Sequence, residues 1–156
     1  MKQLFLALFL ITNITAAHSY EVTSGSGLQF EEIIPADSYD PNNLGTVRGS
    51  VQEIFKIPKM TGMGDAVVAV FNSSKGKIYA ILAPDWYLKN QNIDIKERQY
   101  LIVEGSRVDF KDKIVVIASS IQYDDTKVKL RDRITGNPEW SEWRKGEEIF
   151  YKNYTW

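Results

Sequence analysis

Three short runs decide most of what this chain can fold into: Ala66–Phe71 (AVVAVF), Lys77–Leu82 (KIYAIL) and Ile114–Tyr123 (IVVIASSIQY). They are rich in β-branched and aliphatic residues, short enough for buried strands, and set off by turn residues at 72–76, 111–113 and 124–126. The first two predict a hairpin. Gln99–Phe110, which alternates around Gly105 and Ser106, predicts a second hairpin with 114–123. Upstream, Leu44–Ile57 (LGTVRGSVQEIFKI) has extended character with two interior glycines, as in a long strand that bends or bulges, and Lys56–Asp65 reads as a loop. Pro84–Asn92 (PDWYLKNQN) predicts a helix of two turns that plugs one end of a sheet. Five strands with the helix between the third and fourth give the order of the OB-fold, an all-β, five-stranded Greek-key barrel. A six- or seven-stranded sandwich and an SH3-like barrel are the rival architectures.

The N-terminus has the three-part order of a secretory signal. Met1-Lys2 is basic, Leu4–Ile11 (LFLALFLI) is unbroken apolar sequence, and 12–19 (TNITAAHS) is small and polar. Cleavage is expected after Ser19 or Ala17, because the apolar run is far below the roughly 20 residues of a bilayer span. The expected organisation is a signal peptide at 1–19, a leader at 20–43 with one weak strand in its apolar-acidic patch (Leu28–Ile34), a barrel at 44–123, and an extension at 124–156 with an aromatic tail. Export of a chain with no cysteine fits the periplasm of a bacterial envelope, or release from the cell, better than a eukaryotic secretory route.

Several stretches together resemble a group of short exported bacterial proteins of uncharacterised function. They are Val47–Val51 (VRGSV), Pro58–Gly64 (PKMTGMG), Ala83–Leu88 (APDWYL), Val103–Val108 (VEGSRV), and Lys129–Asp132 (KLRD) with Gly136, Pro138 and Trp140. The resemblance covers roughly residues 45 to 143. It implies an OB-like core and export, and it brings no functional residues with it.

Composition removes whole classes of chemistry. With no cysteine, and His18 as the one histidine at the edge of the leader, thiol and imidazole catalysis, thiolate metal sites and haem attachment have no side chains to use. No phosphate loop, dinucleotide fingerprint or nucleophile elbow occurs, so no cofactor is expected. Acid pairs such as Asp124-Asp125 read as solvated turns. A hydrolase using carboxylates or a serine-lysine pair is the enzymatic alternative. A single-stranded nucleic-acid binder is the alternative drawn from the fold alone, and a formal charge of −1, or −2 once Lys2 leaves with the signal peptide, weighs against it.

A non-catalytic binding or interaction module ranks first, with two candidate surfaces. OB-folds take ligands across strands two and three, between the loops that follow strands one and four. Those loops and strands offer Lys56, Lys59, Met60, Met63, Tyr79, Phe110, Lys111 and Lys113, a basic and apolar groove suited to a protein partner or an anionic, amphipathic envelope ligand. The aromatic tail offers Phe150, Tyr151, Tyr154 and Trp156, which suit docking on a partner. The export reading has a direct test: N-terminal sequencing of protein from the periplasm or medium should begin at His18 or Tyr20. Uncleaved chain held in the cytoplasm would overturn it.

Overall fold

The computed structural model describes residues 38–60, 63–110 and 113–141, apart from the side chains of 59 and 60. The elements run β1 (Leu44–Ser50), β2 (Glu53–Met60), β3 (Gly64–Ser73), β4 (Gly76–Pro84), α1 (Asp85–Asn90), β5 (Tyr100–Phe110), β6 (Lys113–Tyr123) and β7 (Thr126–Lys129). The seven strands form one sheet in the order β1-β5-β6-β4-β3-β2, with β7 added beside β6. All contacts in this order are antiparallel except β4 with β6, which is parallel.

The two ends of that order, β1 and β2, are consecutive in the chain and separated only by Val51 and Gln52. At this corner the backbone changes partner. The Val51 N–H donates to the Gln99 carbonyl at 2.9 Å and its carbonyl accepts from Arg98, on the β5 side; the Gln52 N–H donates to Val70 of β3 at 2.8 Å. The sheet is thereby closed on itself through one bent strand, which is the OB barrel. The long strand expected over 44–57 is therefore two strands, because its halves pair with opposite sides of the barrel. The loop expected from Lys56 is shorter than its composition suggests. β2 continues to Met60 across Pro58, and a register shift between Ile57 and Met60 accommodates a residue with no N–H to donate. The leader patch at 28–34 lies outside the described residues.

The helix sits where the sequence places it and is shorter, ending when Asn92 turns to a φ of +55°. Asp85 in its first turn pairs with Lys89 in its last at 2.8 Å, an arrangement that also suits the helix dipole. Tyr87 and Leu88 are buried, and Trp86 packs edge-on against Tyr87.

Gly105 marks the tightest backbone approach in the sheet. A Cβ there would overlap the Ile117 carbonyl oxygen and stand 2.8 Å from the Ala118 Cα, where β6 carries an extra residue opposite Glu104 and Gly105. The glycine in the Gly-Ser turn of the sequence is thus a packing requirement.

After β7 the chain folds back to brace the barrel. The amides of Leu130 and Arg131 both donate to the Ser119 carbonyl. Asp132 then holds a tight turn, its Oδ1 accepting from the amides of Ile134 and Thr135 and from the Thr135 hydroxyl. Arg131 is only 4% exposed. Its Nη1 donates to the carbonyls of Ala118 at 2.7 Å and Leu82 at 3.0 Å. The parallel register of β4 and β6 stops at Ile81 opposite Ile117, so Arg131 takes up the next carbonyl on each strand. Its Nη2 points at the Met63 sulfur at 3.5 Å, and Trp140 lies over the guanidinium with its ring centroid 4.6 Å away. Truncation would strip two buried carbonyls of their donor and open a cavity under Trp140. Arg131→Ala should cost about 3 kcal/mol or more of unfolding free energy, read from urea denaturation with far-UV and tryptophan signals. A loss under about 1 kcal/mol would show that the clamp is dispensable.

Candidate functional site

The register decides which residues of neighbouring strands share a face. Glu53 and Lys77 form a surface ion pair at 3.7 Å, with side chains 41% and 49% exposed. Glu53 lies opposite Val70, Val70 opposite Tyr79, and Lys77 is two residues before Tyr79 on β4. Directly opposed residues share a face, so Val70 and Tyr79 lie on the face whose margin carries the ion pair. The same face takes in Phe55, Val68 and Ile81, and through the parallel pairing Val115 and Ile117. The opposite face carries Phe71, whose ring stands 3.8 Å from where a Cβ on Gly49 would be, opposite fully buried Leu101.

β2, β3, β4 and β6 therefore share an apolar platform whose centre is buried, Val68 and Val70 fully and Ile81, Val115 and Ile117 nearly so. Continuing across β5, Val108 lies opposite Val115 and Phe110 opposite Lys113, so Phe110 and Lys113 form its margin. Of the sequence-predicted groove residues, Tyr79, Phe110 and Lys113 share this one face. The others divide. Lys56 lies opposite Val67, turned to the other side of β2, and binds Asp85 at 3.0 Å. It sits at the Pro84 end of β4, whereas Lys113 adjoins Ile78 at the other end, on the order of 15 Å away along the strand. Met63 is 2% exposed and belongs to the core beneath Arg131. The side chains of Lys59 and Met60, all of Lys111, and the tail residues Phe150, Tyr151, Tyr154 and Trp156 lie outside the described residues. Tyr79 is itself 8% exposed.

Phe55, Val68, Val70, Ile81, Val115 and Ile117 were not among the predicted site residues. Their signal was present in the sequence: the runs are apolar without alternation, the mark of strands covered on both faces. Around the platform the chemistry is electrostatic. Glu104 is held below the usual carboxylate range, mainly by its hydrogen bond from Lys127 at 3.1 Å, with Ser120 adding another. Among the described residues no three His, Cys, Asp or Glu side chains gather as a metal site, and no helix is long and apolar enough to cross a membrane.

Lys56 and Lys89 converge on Asp85 and so join β2 to the helix. Burial raises the Asp85 pKa, but the hydrogen bonds and charges of Lys89 and Lys56 outweigh it, and the carboxyl lies below its ordinary 3.8. The stability Asp85 contributes is thus complete above 3.8 and disappears as the pH falls through its lower folded value. Asp85→Asn should be less stable than the parent protein at pH 7, and the gap should close as the pH falls below the ordinary carboxylate value of 3.8 and through the lower folded one. Denaturant titrations at a series of pH values read this; a gap independent of pH would show that the carboxylate charge is immaterial.

No curated protein sequence matches the chain. Among solved structures, the S. pombe Stn1-Ten1 complex is similar over 70% of this chain and 71% of its own, at 18% identity and a TM-score of 0.38. The model of the MamS/MamX magnetosome protein family matches residues 43–128. That span runs from the residue before β1 into β7 and takes in the helix, the closing corner and all of the platform, and the chain belongs to the MamS/MamX magnetosome protein family.

Proposed function

We propose that this protein is an exported, non-catalytic interaction module of a bacterial envelope, working in the periplasm or outside the cell. It captures a protein segment or an anionic, amphipathic ligand at the margin of the platform, where Phe110 and Lys113 lie beyond Tyr79. The observation that carries this reading is the register, which brings Tyr79, Phe110 and Lys113 of the sequence-predicted groove onto one face, with Lys113 directly opposite the partly buried Phe110. A cation beside partly covered aromatic surface suits an anionic, amphipathic ligand or a protein segment. A rigid barrel presents such a face with little ordering cost on binding. Membership in a magnetosome protein family supports a bacterial setting.

The test uses the mature protein as bait in envelope extract, beside the double variant Lys111→Glu/Lys113→Glu. The variant should capture its partner on the order of tenfold less well, with unfolding free energy changed by about 0.5 kcal/mol or less. A parallel screen on glycans, peptides and esters tests the alternative. Turnover abolished by a single Asp or Ser substitution would replace the binding role with a catalytic one.

A further inference from the structure

We infer that the free edge of β1 is a second docking site, separate from the platform margin, and that it takes an extended protein segment of alternating apolar and acidic residues as an added strand.

Which backbone groups β1 leaves over follows from the bonds at its two ends. The Asn43 carbonyl accepts from the Arg107 amide at 2.8 Å, and the Val51 amide donates to the Gln99 carbonyl at 2.9 Å. Both are odd positions, and hydrogen-bonded pairs alternate along an antiparallel ladder. Gly45, Val47 and Gly49 therefore direct their backbone groups to β5, in a register that runs unbroken from Leu44 opposite Ser106 to Ser50 opposite Tyr100. Leu44, Thr46, Arg48 and Ser50 turn theirs the other way, as does Gln52, whose amide donates to Val70 of β3. The Ser50 carbonyl accepts from the Gln52 side chain at 3.2 Å. β3 pairs no further back than Glu53, and β1 stands at the end of the strand order. Among the described residues, the N–H and C=O groups of Thr46 and Arg48 thus have no strand beside them.

Side-chain burial shows the same opening. Val47 lies on the buried side of β1, opposite fully buried Val103, yet is itself only partly buried. Val51, on the same side beyond the corner, is fully buried. A Cβ on Gly45, again on that side, would meet nothing within 4 Å, whereas one on Gly49 would touch Phe71. The barrel is open along the first half of β1. Lysine, proline and bulges, the usual guards of an open edge, do not occur in LGTVRGS. A regular strand with unpaired amides is a template for a further strand.

The chemistry of the partner follows from the two sides of this edge, between which the side chains of an added strand alternate. On the buried side they would cover Val47 and fill the space over Gly45, a place for apolar residues. On the other side Thr46, Arg48 and Ser50 are exposed, and Arg48 makes no ion pair among the described residues. Glu104, opposite Thr46, is held by Lys127 and Ser120. An acidic side chain set opposite Arg48 therefore completes a cross-strand pair. β1 contains no acid, so a second copy pairing through the same strand has none to set against Arg48. Charge selects a different chain.

The probe is a capped peptide of alternating valine and glutamate, seven residues long to match β1. It is added at millimolar concentration to the full mature chain, with amide hydrogen exchange read by NMR. In the free protein the Thr46 and Arg48 amides should exchange fast while those of Val47 and Gly49, bonded to β5, stay protected. The peptide should slow Thr46 and Arg48 several-fold. Protection of these two amides already present without peptide, or none gained with it, would overturn the inference. Lysine in place of glutamate in the peptide should weaken binding several-fold, and Arg48→Glu should reverse that preference; indifference to both changes would refute an acidic partner. Thr46→Pro removes an edge donor and leaves the β5 ladder whole, since proline is tolerated where the N–H faces solvent. It should abolish peptide binding with the far-UV spectrum unchanged, and binding that persists in the folded variant would refute strand addition. If the variant misfolds, the peptide N-methylated at every amide makes the same test on the parent protein: it should not slow exchange, and slowing equal to that of the unmethylated peptide would refute strand addition. A dimer in sedimentation that Thr46→Pro disperses would give the edge to a second copy and likewise overturn the inference.

Discussion

Everything at the helix end of the barrel converges on one buried cation. Arg131 reaches the first carbonyls beyond the paired rungs of β4 and β6, touches the Met63 sulfur ahead of β3, and carries Trp140, whose ring meets Tyr87 of the helix 5.5 Å away. Among the described residues no carboxylate pairs with it. Burial therefore pulls its pKa down to about 10, which leaves it charged at neutral pH. Two carbonyl dipoles and an aromatic face stand in for a counter-ion. A guanidinium suits this role because its planar donors can serve several acceptors at once. The Leu-Arg-Asp segment is thus a fastening: Leu130 fills the core, Arg131 clamps two strands, and Asp132 holds the turn that returns Trp140 over the clamp.

Strands β3, β4 and β6 are buried on both faces over most of their length, which is unusual for strands mostly in antiparallel pairs and familiar where both sides are covered. The face that holds Val70, Tyr79 and Val115 runs out to Phe110 and Lys113, the margin at the centre of the functional proposal. The charged residues lie around it: Glu53 with Lys77 beyond Val70 and Tyr79, and Lys113 beside Phe110.

Much of the fold was legible because its signals are local. Turn residues separated the strands, the helix announced itself through Pro84 and Asp85, and its place between the third and fourth strands gave the barrel order. The division of 44–57 was not legible as such. The glycines marked a bend, but only closure of the sheet decides that Val51 bonds to the β5 side while Gln52 bonds to β3. The groove was legible in part: Tyr79, Phe110 and Lys113 share a face, whereas Met63 went to the core because Arg131 needed a neighbour there.

By itself the sequence determined the strands, the hairpins, the helix, the exclusion of thiol chemistry and the expectation of export, because each depends on neighbours a few residues apart. Only the tertiary structure decided which residues of a continuous apolar run share a face. AVVAVF and IVVIASSI have no alternation, so nothing local distinguishes Val68 from Val67 or Ile117 from Val116. The distinction arises from long-range register, which carries Glu53, Val70 and Tyr79 onto one face and turns Phe71 toward Gly49 on the other. The burial of Arg131 is of the same kind: a charged side chain reads as surface until two strands distant in sequence present it with the carbonyls of Leu82 and Ala118.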